Sequence, residues 1–297
     1  MSPPTPSQET PAPDSGATPP DAEAEIVAAD PDAGARRIAA AFADSPRRAA
    51  LMPYLMGGFP DLPASTRIGH AYADAGADLI ELGVPYSDPL ADGPVIHAAG
   101  SAALRSGATL DGVLEVAGKL TGRLPVVVMC YANLIYARGL ERFTRDLAAH
   151  GVSGMIVPDV PLEEAPLVRD ACESAGIALI PLVAPTTPEP RLAAIGELAR
   201  GFVYTVSVAG TTGERRAVDE SIGALVARVR RHADVPVAVG FGVGEPAQAR
   251  AVADAGADGV IIGSRLVREV AEAVERQSDP AAAVCALVAE FAAALDR

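Results

Sequence analysis

A chain of 297 residues, 49% of them apolar, has ample material for one large core, and a single α/β barrel of ~250 residues fits within it. The formal net charge of −14 argues against a nucleic-acid surface, which would be basic. No apolar run reaches the ~18 residues of a membrane span, and the start, Met-Ser-Pro-Pro-Thr-Pro-Ser, lacks the basic and apolar parts of a secretory signal. The three cysteines, Cys130, Cys172 and Cys285, are far apart and form no C-x-x-C pair, which argues against a metal site or a disulfide framework and fits a reduced, cytoplasmic setting.

Residues 1–33 are rich in Pro, Ala, Ser and Asp without periodicity, the composition of a disordered tail. Seven acidic residues precede Arg36, about half of the net charge, so the folded part, residues 34–297, is only mildly acidic. A short extra helix is predicted near Ala35–Ala43. Eight strands follow: Leu51–Met56, Leu79–Val84, Val126–Cys130, Gly154–Val157, Ala178–Val183, Phe202–Ser207, Val235–Val239 and Gly259–Ile262. Helical spacing appears between them, for example at Leu140–Ala149, Leu162–Ala175, Ile222–Arg231 and Pro246–Ala255. Alternating strand and helix means parallel strands with crossover helices. The sequence Ala73-Asp-Ala-Gly-Ala-Asp78 returns as Ala253-Asp-Ala-Gly-Ala-Asp258, each time before a strand. It reads as a helix ending at a C′ glycine and turning into the next strand. This reuse favours a single (β/α)₈ TIM barrel, with a doubly wound sheet as the alternative. No G-x-G-x-x-G follows a strand, which weakens a dinucleotide-binding reading.

The stretch Leu79–Pro94 carries the chemistry. Glu81 is the one charged residue in the eight predicted strand cores. Strand parity puts it on the face opposite Ile80 and Leu82, hence inside the barrel, where a carboxyl shifts its pKa or has a task. Asp92 lies in the loop after the same strand, on the rim that carries active sites in such barrels; alone, Asp-Gly-Pro also reads as an N-cap. Asp88 before Pro89 reads as a turn residue. Glycine-bearing segments follow the last three strands: Ser207–Gly213, Gly240–Gly244 and Gly263-Ser264-Arg265. Loops after strands seven and eight are the usual phosphate site of this architecture. Tyr204 alternates with Val203 and Thr205 and can face inward, though a buried tyrosine is more often packing with a satisfied hydroxyl. His70, His97, His150 and His232 show no metal-ligand spacing. The residues thus indicate a phosphate-binding barrel with an interior carboxylate as acid/base.

Glu81-Leu-Gly-Val-Pro-Tyr-Ser-Asp-Pro-Leu-Ala-Asp92-Gly-Pro94 closely resembles the signature of the tryptophan synthase alpha chain. The resemblance continues through Tyr131-Ala-Asn-Leu134, Pro158-Asp-Val-Pro161, Ser207–Gly213, Gly240-Phe-Gly242 and Gly263-Ser264, over roughly residues 34–297. It implies a lyase that cleaves indole-3-glycerol phosphate to indole and glyceraldehyde 3-phosphate without metal or organic cofactor. It also implies Glu81 and Asp92 as catalytic carboxylates. Gly213, Phe241, Gly242, Gly263 and Ser264 match phosphate binders, Tyr204 and Thr212 match residues close to the reaction, and Tyr131 matches a wall of the indole pocket. The implied partner is a pyridoxal-phosphate-dependent beta chain in an α₂β₂ heterotetramer, with the segments Pro85–Asp92 and Ala209–Gly213 closing over substrate. Where many members read Gly-Asp-Pro after the first strand, this chain has Gly58-Phe59-Pro60. A stand-alone lyase releasing free indole, a catalytically silent regulatory paralogue and another phosphate-binding barrel enzyme are the competing readings.

Overall fold

The computed structural model describes residues 30–206, 215–240 and 242–297. Residues 1–29 of the expected tail lie outside the described residues. Asp30–Asp32 lead by a turn into the first helix, which begins at Ala33.

Among the described residues nine strands run β1 (Ala50–Met56), β2 (Ile80–Gly83), β3 (Val126–Met129), β4 (Gly154–Ile156), β5 (Ala178–Leu179), β6 (Leu182–Val183), β7 (Val203–Val206), β8 (Val237–Gly240) and β9 (Gly259–Ile262). The helices are α1 (Ala33–Ala43), α2 (Leu62–Asp74), α3 (Pro94–Arg105), α4 (Leu110–Leu120), α5 (Ala132–Arg138), α6 (Leu140–Ala149), α7 (Ala165–Ser174), α8 (Glu189–Leu198), α9 (Arg215–Arg230), α10 (Pro246–Asp254), α11 (Ser264–Glu275) and α12 (Pro280–Ala294). The paired strands are all parallel, in the order β5-β4-β3-β2-β1-β9-β8-β7-β6.

The two ends of that order belong to one piece of chain. The strand expected at Ala178–Val183 is split into β5 and β6, because Pro181 has no N–H to give the ladder. On one side of the split, the N–H of Ile180 donates to the carbonyl of Met155 at 2.8 Å; on the other, the N–H of Tyr204 donates to the carbonyl of Pro181 at 3.0 Å. The segment pairs first with β4 and then with β7, which closes the ring as a (β/α)₈ barrel. Pro236 has the same effect on the seventh expected strand, which starts at Val237 rather than Val235. Helix α6 coincides with the expected Leu140–Ala149, whereas α7 starts three residues later than expected, after the turn at Pro161.

The repeated Ala-Gly-Ala-Asp joint has a defined job. Gly76 and Gly256 take φ of 94° and 97°, the left-handed region that ends a helix cheaply only with glycine. The aspartate after each then fastens the neighbouring strand: Asp78 Oδ2 accepts from the N–H of Leu51 at 2.8 Å, and Asp258 Oδ2 accepts from the N–H of Val237 at 2.8 Å.

Strand parity sorts the core. Leu51, Leu55, Ile80, Leu82, Val126 and Val128 face outward onto the helices, while Met52, Leu79, Val127, Ile156 and Ile261 fill the barrel interior together with Ile38 of α1. Helix α1 covers the N-terminal end of the barrel. It approaches so closely that a Cβ on Gly34 would lie 2.0 Å from the carbonyl oxygen of Ser153, and the ring of Phe42 packs 5.6 Å from that of Phe202. With that end covered, the C-terminal end is where polar groups can meet a ligand.

Candidate active site

Glu81 sits in the middle of β2, between Tyr54 of β1 and Val127 of β3, its register partners. Only 1% of it is exposed, and its Oε2 has no hydrogen-bond partner among the described residues. Burial disfavours the charged form most, and the nearby Asp92 carboxylate adds repulsion, so the pKa rises from 4.5 to about 8. At neutral pH the group therefore holds its proton, and it can release one within the physiological range.

Asp92 is not the N-cap that its Asp-Gly-Pro context suggests. Gly93 occupies the cap position of α3, with Pro94 in the first turn, and no side chain caps that helix. Instead Asp92 Oδ1 accepts a hydrogen bond from the hydroxyl of Tyr131 at 3.0 Å. That same hydroxyl accepts from the N–H of Ala91 at 3.1 Å, so one phenol holds the carboxylate and its own loop. Desolvation leaves the Asp92 pKa raised above its ordinary value, with the Tyr131 hydrogen bond, and to a smaller extent the electrostatic influence of His97, opposing the rise. The two carboxyls thus have unlike surroundings: among the described residues Glu81 has no donor on Oε2, and Asp92 has one at Oδ1. Such divergence sets the proton affinities of two neighbouring acids apart, the larger rise falling on Glu81.

Tyr131 itself is 2% exposed, and burial holds its hydroxyl firmly protonated, so it acts as a donor to Asp92. Tyr204 lines the inner wall from β7, and burial with the Glu81 charge raises its pKa well above 10. Its ring lies across Gly240, where an added Cβ would sit 2.4 Å from the hydroxyl.

The glycines at the ends of β8 and β9 frame the mouth. Gly242 has φ of 77°, a conformation that a side chain would strain. Two helices begin at this rim, and their N-termini differ. At α10, Gln248 Oε1 already accepts from the N–H groups of Gly244 at 2.7 Å and Glu245 at 3.0 Å. At α11, which starts at Ser264 after Gly263, no side chain among the described residues caps the first turn. The positive end of its helix dipole suits an anion. Thr212, Gly213 and Phe241 lie outside the described residues.

Three contributors escaped the sequence reading. Tyr54 is 4% exposed and directly opposite Glu81; strand parity in Leu51–Met56 is enough to find it, since it shares the inner face with Met52. Tyr86 stacks on Tyr131, with ring centroids 5.3 Å apart, and its hydroxyl accepts from Asn133 Nδ2 at 2.9 Å. His97 of α3 bears on Asp92 only through the fold. Among the described residues no group of three or more His, Cys, Asp or Glu is placed to hold a metal ion, and no helix is long and apolar enough to cross a membrane.

Fold and site together define a class: a (β/α)₈ barrel whose C-terminal mouth joins a buried carboxyl, a second carboxylate and a glycine-lined helix N-terminus. Comparison with known proteins makes the assignment specific. The sequence model of the tryptophan synthase alpha chain matches residues 41–296. The tryptophan synthase alpha chain of Prochlorococcus marinus (strain MIT 9313) is 50% identical over 228 residues, 76% of this chain and 83% of that one. Tryptophan synthase from M. tuberculosis, solved in an open form, superposes with a TM-score of 0.79 at 39% identity, over 88% of this chain and 99% of that one. The alpha subunit from Legionella pneumophila str. Paris superposes with a TM-score of 0.80 at 33% identity, over 88% and 98%. The chain belongs to the tryptophan synthase alpha chain family, lyases of tryptophan biosynthesis that work with a beta chain.

Proposed function

We propose that this chain cleaves indole-3-glycerol phosphate into indole and glyceraldehyde 3-phosphate, with Glu81 and Asp92 as the catalytic pair. The bond to be broken joins indole C3 to a carbon that carries a hydroxyl. Glu81 gives its proton to C3, which places positive charge on the ring. Asp92 accepts a hydrogen bond from the indole N–H through Oδ2, since Tyr131 holds Oδ1, and stabilises that charge. The chain hydroxyl then returns a proton to Glu81. Its oxygen electrons form the aldehyde carbonyl, and the electrons of the breaking C–C bond restore the indole ring. One carboxyl thus serves as acid and then base, and each such group contributes ~10²–10⁴ in rate. Proton count and electron count close with these two side chains, so the proposed step calls for no metal or organic cofactor in this chain.

The observation that carries this reading is the state of Glu81: 1% exposed, without a partner at Oε2 among the described residues, with a pKa of about 8. The substrate phosphate would bind at Gly242, Gly263 and Ser264, with Gly213 and Phe241 completing its cradle. Tyr204, Thr212 and Tyr131 would border the indole and glycerol parts. The proposed assembly is an α₂β₂ heterotetramer in the cytoplasm, in which the beta chain binds pyridoxal phosphate and consumes the indole. Leu90, 85% exposed in the loop carrying Asp92, and Tyr136, 47% exposed on α5, offer apolar surface for such a partner. Incubating the full chain with indole-3-glycerol phosphate, with and without a beta chain, tests the reading. Indole release stimulated by the beta chain supports it, and no release under either condition overturns it.

A further inference from the structure

Tyr86 and Asn133 stand one step removed from the carboxylates, at the rim where the loop after β2 meets the start of α5. Asn133 Nδ2 donates to the Tyr86 hydroxyl at 2.9 Å. The Tyr86 ring lies against that of Tyr131, with centroids 5.3 Å apart and planes tilted by 30°. The Tyr131 hydroxyl in turn reaches Asp92 Oδ1 at 3.0 Å and takes the N–H of Ala91 at 3.1 Å. Tyr131 is followed by Ala132, whose N–H donates to Asp159 Oδ1 at 3.0 Å, so its backbone is fixed from below. Its ring has the stacking partner as its restraint on the rim side. From these contacts we infer that Tyr86 and Asn133 are positioning residues for the reaction: together they clamp the Tyr131 ring so that its hydroxyl stays on Asp92.

The clamp has a chemical consequence. The groups whose charge or hydrogen bonds bear on Asp92 are Tyr131 before α5, His97 of α3, Tyr54 of β1 and Glu81 of β2. Of these, Tyr131 alone touches it with a hydrogen bond among the described residues. A donor on a carboxylate favours its ionised form, and a ring free to rock weakens that donor. The clamp therefore keeps Asp92 aimed and preserves the hydrogen bond that opposes the rise in its pKa. It is built from side chains that would not touch substrate, and the hydroxyl of Tyr86 has no other hydrogen-bond partner among the described residues.

This inference rests on Asp92 acting in the cleavage, and the test separates the two. Turnover, KM and the pH profile of indole release are measured for the full chain and for Tyr86→Phe, Asn133→Ala, the double variant and Asp92→Asn. Tyr86→Phe keeps the ring and removes the acceptor oxygen, and Asn133→Ala removes the donor. The expected result for each single variant is a fall in kcat of about three- to ten-fold, KM within about twofold, and the acid limb of the pH profile moved to higher pH. The double variant falls no further than the worse single, because both changes break one contact. Unchanged kcat and pH profile in both single variants overturns the inference, as do multiplicative losses in the double. Full turnover in Asp92→Asn instead overturns the function proposed for Asp92, and the inference falls with it.

Discussion

The hydroxyl of Tyr54 occupies the space beside Gly83 that a side chain there would need: a Cβ built on Gly83 lies 1.9 Å from it. The same arrangement recurs across the barrel, where Tyr204 folds over Gly240. In each case the tyrosine pairs with one residue of the next strand, Glu81 or Ala238, and leans over the glycine two positions further on. The barrel thus sets two phenols into its wall; burial above all raises the pKa of both, and Glu81 adds to the rise once it is ionised.

Gly83→Ala and Gly240→Ala are therefore expected to cost ~1–3 kcal/mol each, since neither the backbone nor a ring held in a packed wall can move away freely. Gly122→Ala serves as the control, because its Cβ meets nothing within 4 Å. Urea midpoints separate them: the first two fall and the third stays within ~0.5 kcal/mol. Equal midpoints for all three would show that the tyrosines have room to yield.

Glu81 predicts a specific pH dependence of stability. Its folded pKa of about 8 exceeds the ordinary 4.5, so between these values the folded chain holds a proton that the unfolded chain has released. Stability from this group is complete below about pH 4.5, declines as pH rises and levels off above about 8, a total of at most ~5 kcal/mol. Glu81→Gln keeps the shape and removes the titration. The variant is expected to gain on the native chain steadily from pH 5 to pH 8 in denaturant titrations. Parallel stability curves for the two proteins would place the Glu81 pKa near its ordinary value.

Tyr131→Phe removes the donor to Asp92 Oδ1 and the acceptor of the Ala91 N–H. The Asp92 pKa should rise, moving the acid limb of the cleavage profile to higher pH, with a loss of ~10-fold or more at neutral pH. Asp92→Asn should lose more, because the acceptor charge itself is gone. A Tyr131→Phe profile that overlays the native one would remove Tyr131 from the account.

The anion site has a direct assay that requires no turnover. Glycerol phosphate at concentrations well above its Kd should raise the melting temperature of the native chain, since a ligand that binds only the folded state stabilises it. Gly242→Ala, which forces a side chain into φ of 77°, should lower that shift and raise KM. An equal shift in both proteins would place the phosphate elsewhere.

Much of this was legible from the residues because the signals were local. Parity placed Glu81 inside, the Gly76 and Gly256 joints marked helix ends, and the glycines after β8 and β9 marked the rim. What was missed depends on contacts between distant segments. Asp92 reads as a cap until Tyr131, 39 residues later, is seen to hold it. The split at Pro181 follows from proline chemistry, yet only the register shows β5 turned to β4 and β6 to β7. The stacking of Tyr86 on Tyr131 has no periodicity at all. Phe59 packs against the apolar cluster of Tyr54, Met56 and Ile96, so an aromatic side chain serves that corner as core.

The central claim is that a buried, protonated Glu81 performs the cleavage. Indole release from indole-3-glycerol phosphate at pH 7, measured for the full chain and for Glu81→Gln at matched folding by circular dichroism, tests it most directly. The account predicts a loss of ~10²–10⁴-fold in kcat with substrate still bound. Turnover by Glu81→Gln within a few-fold of the native chain would contradict it.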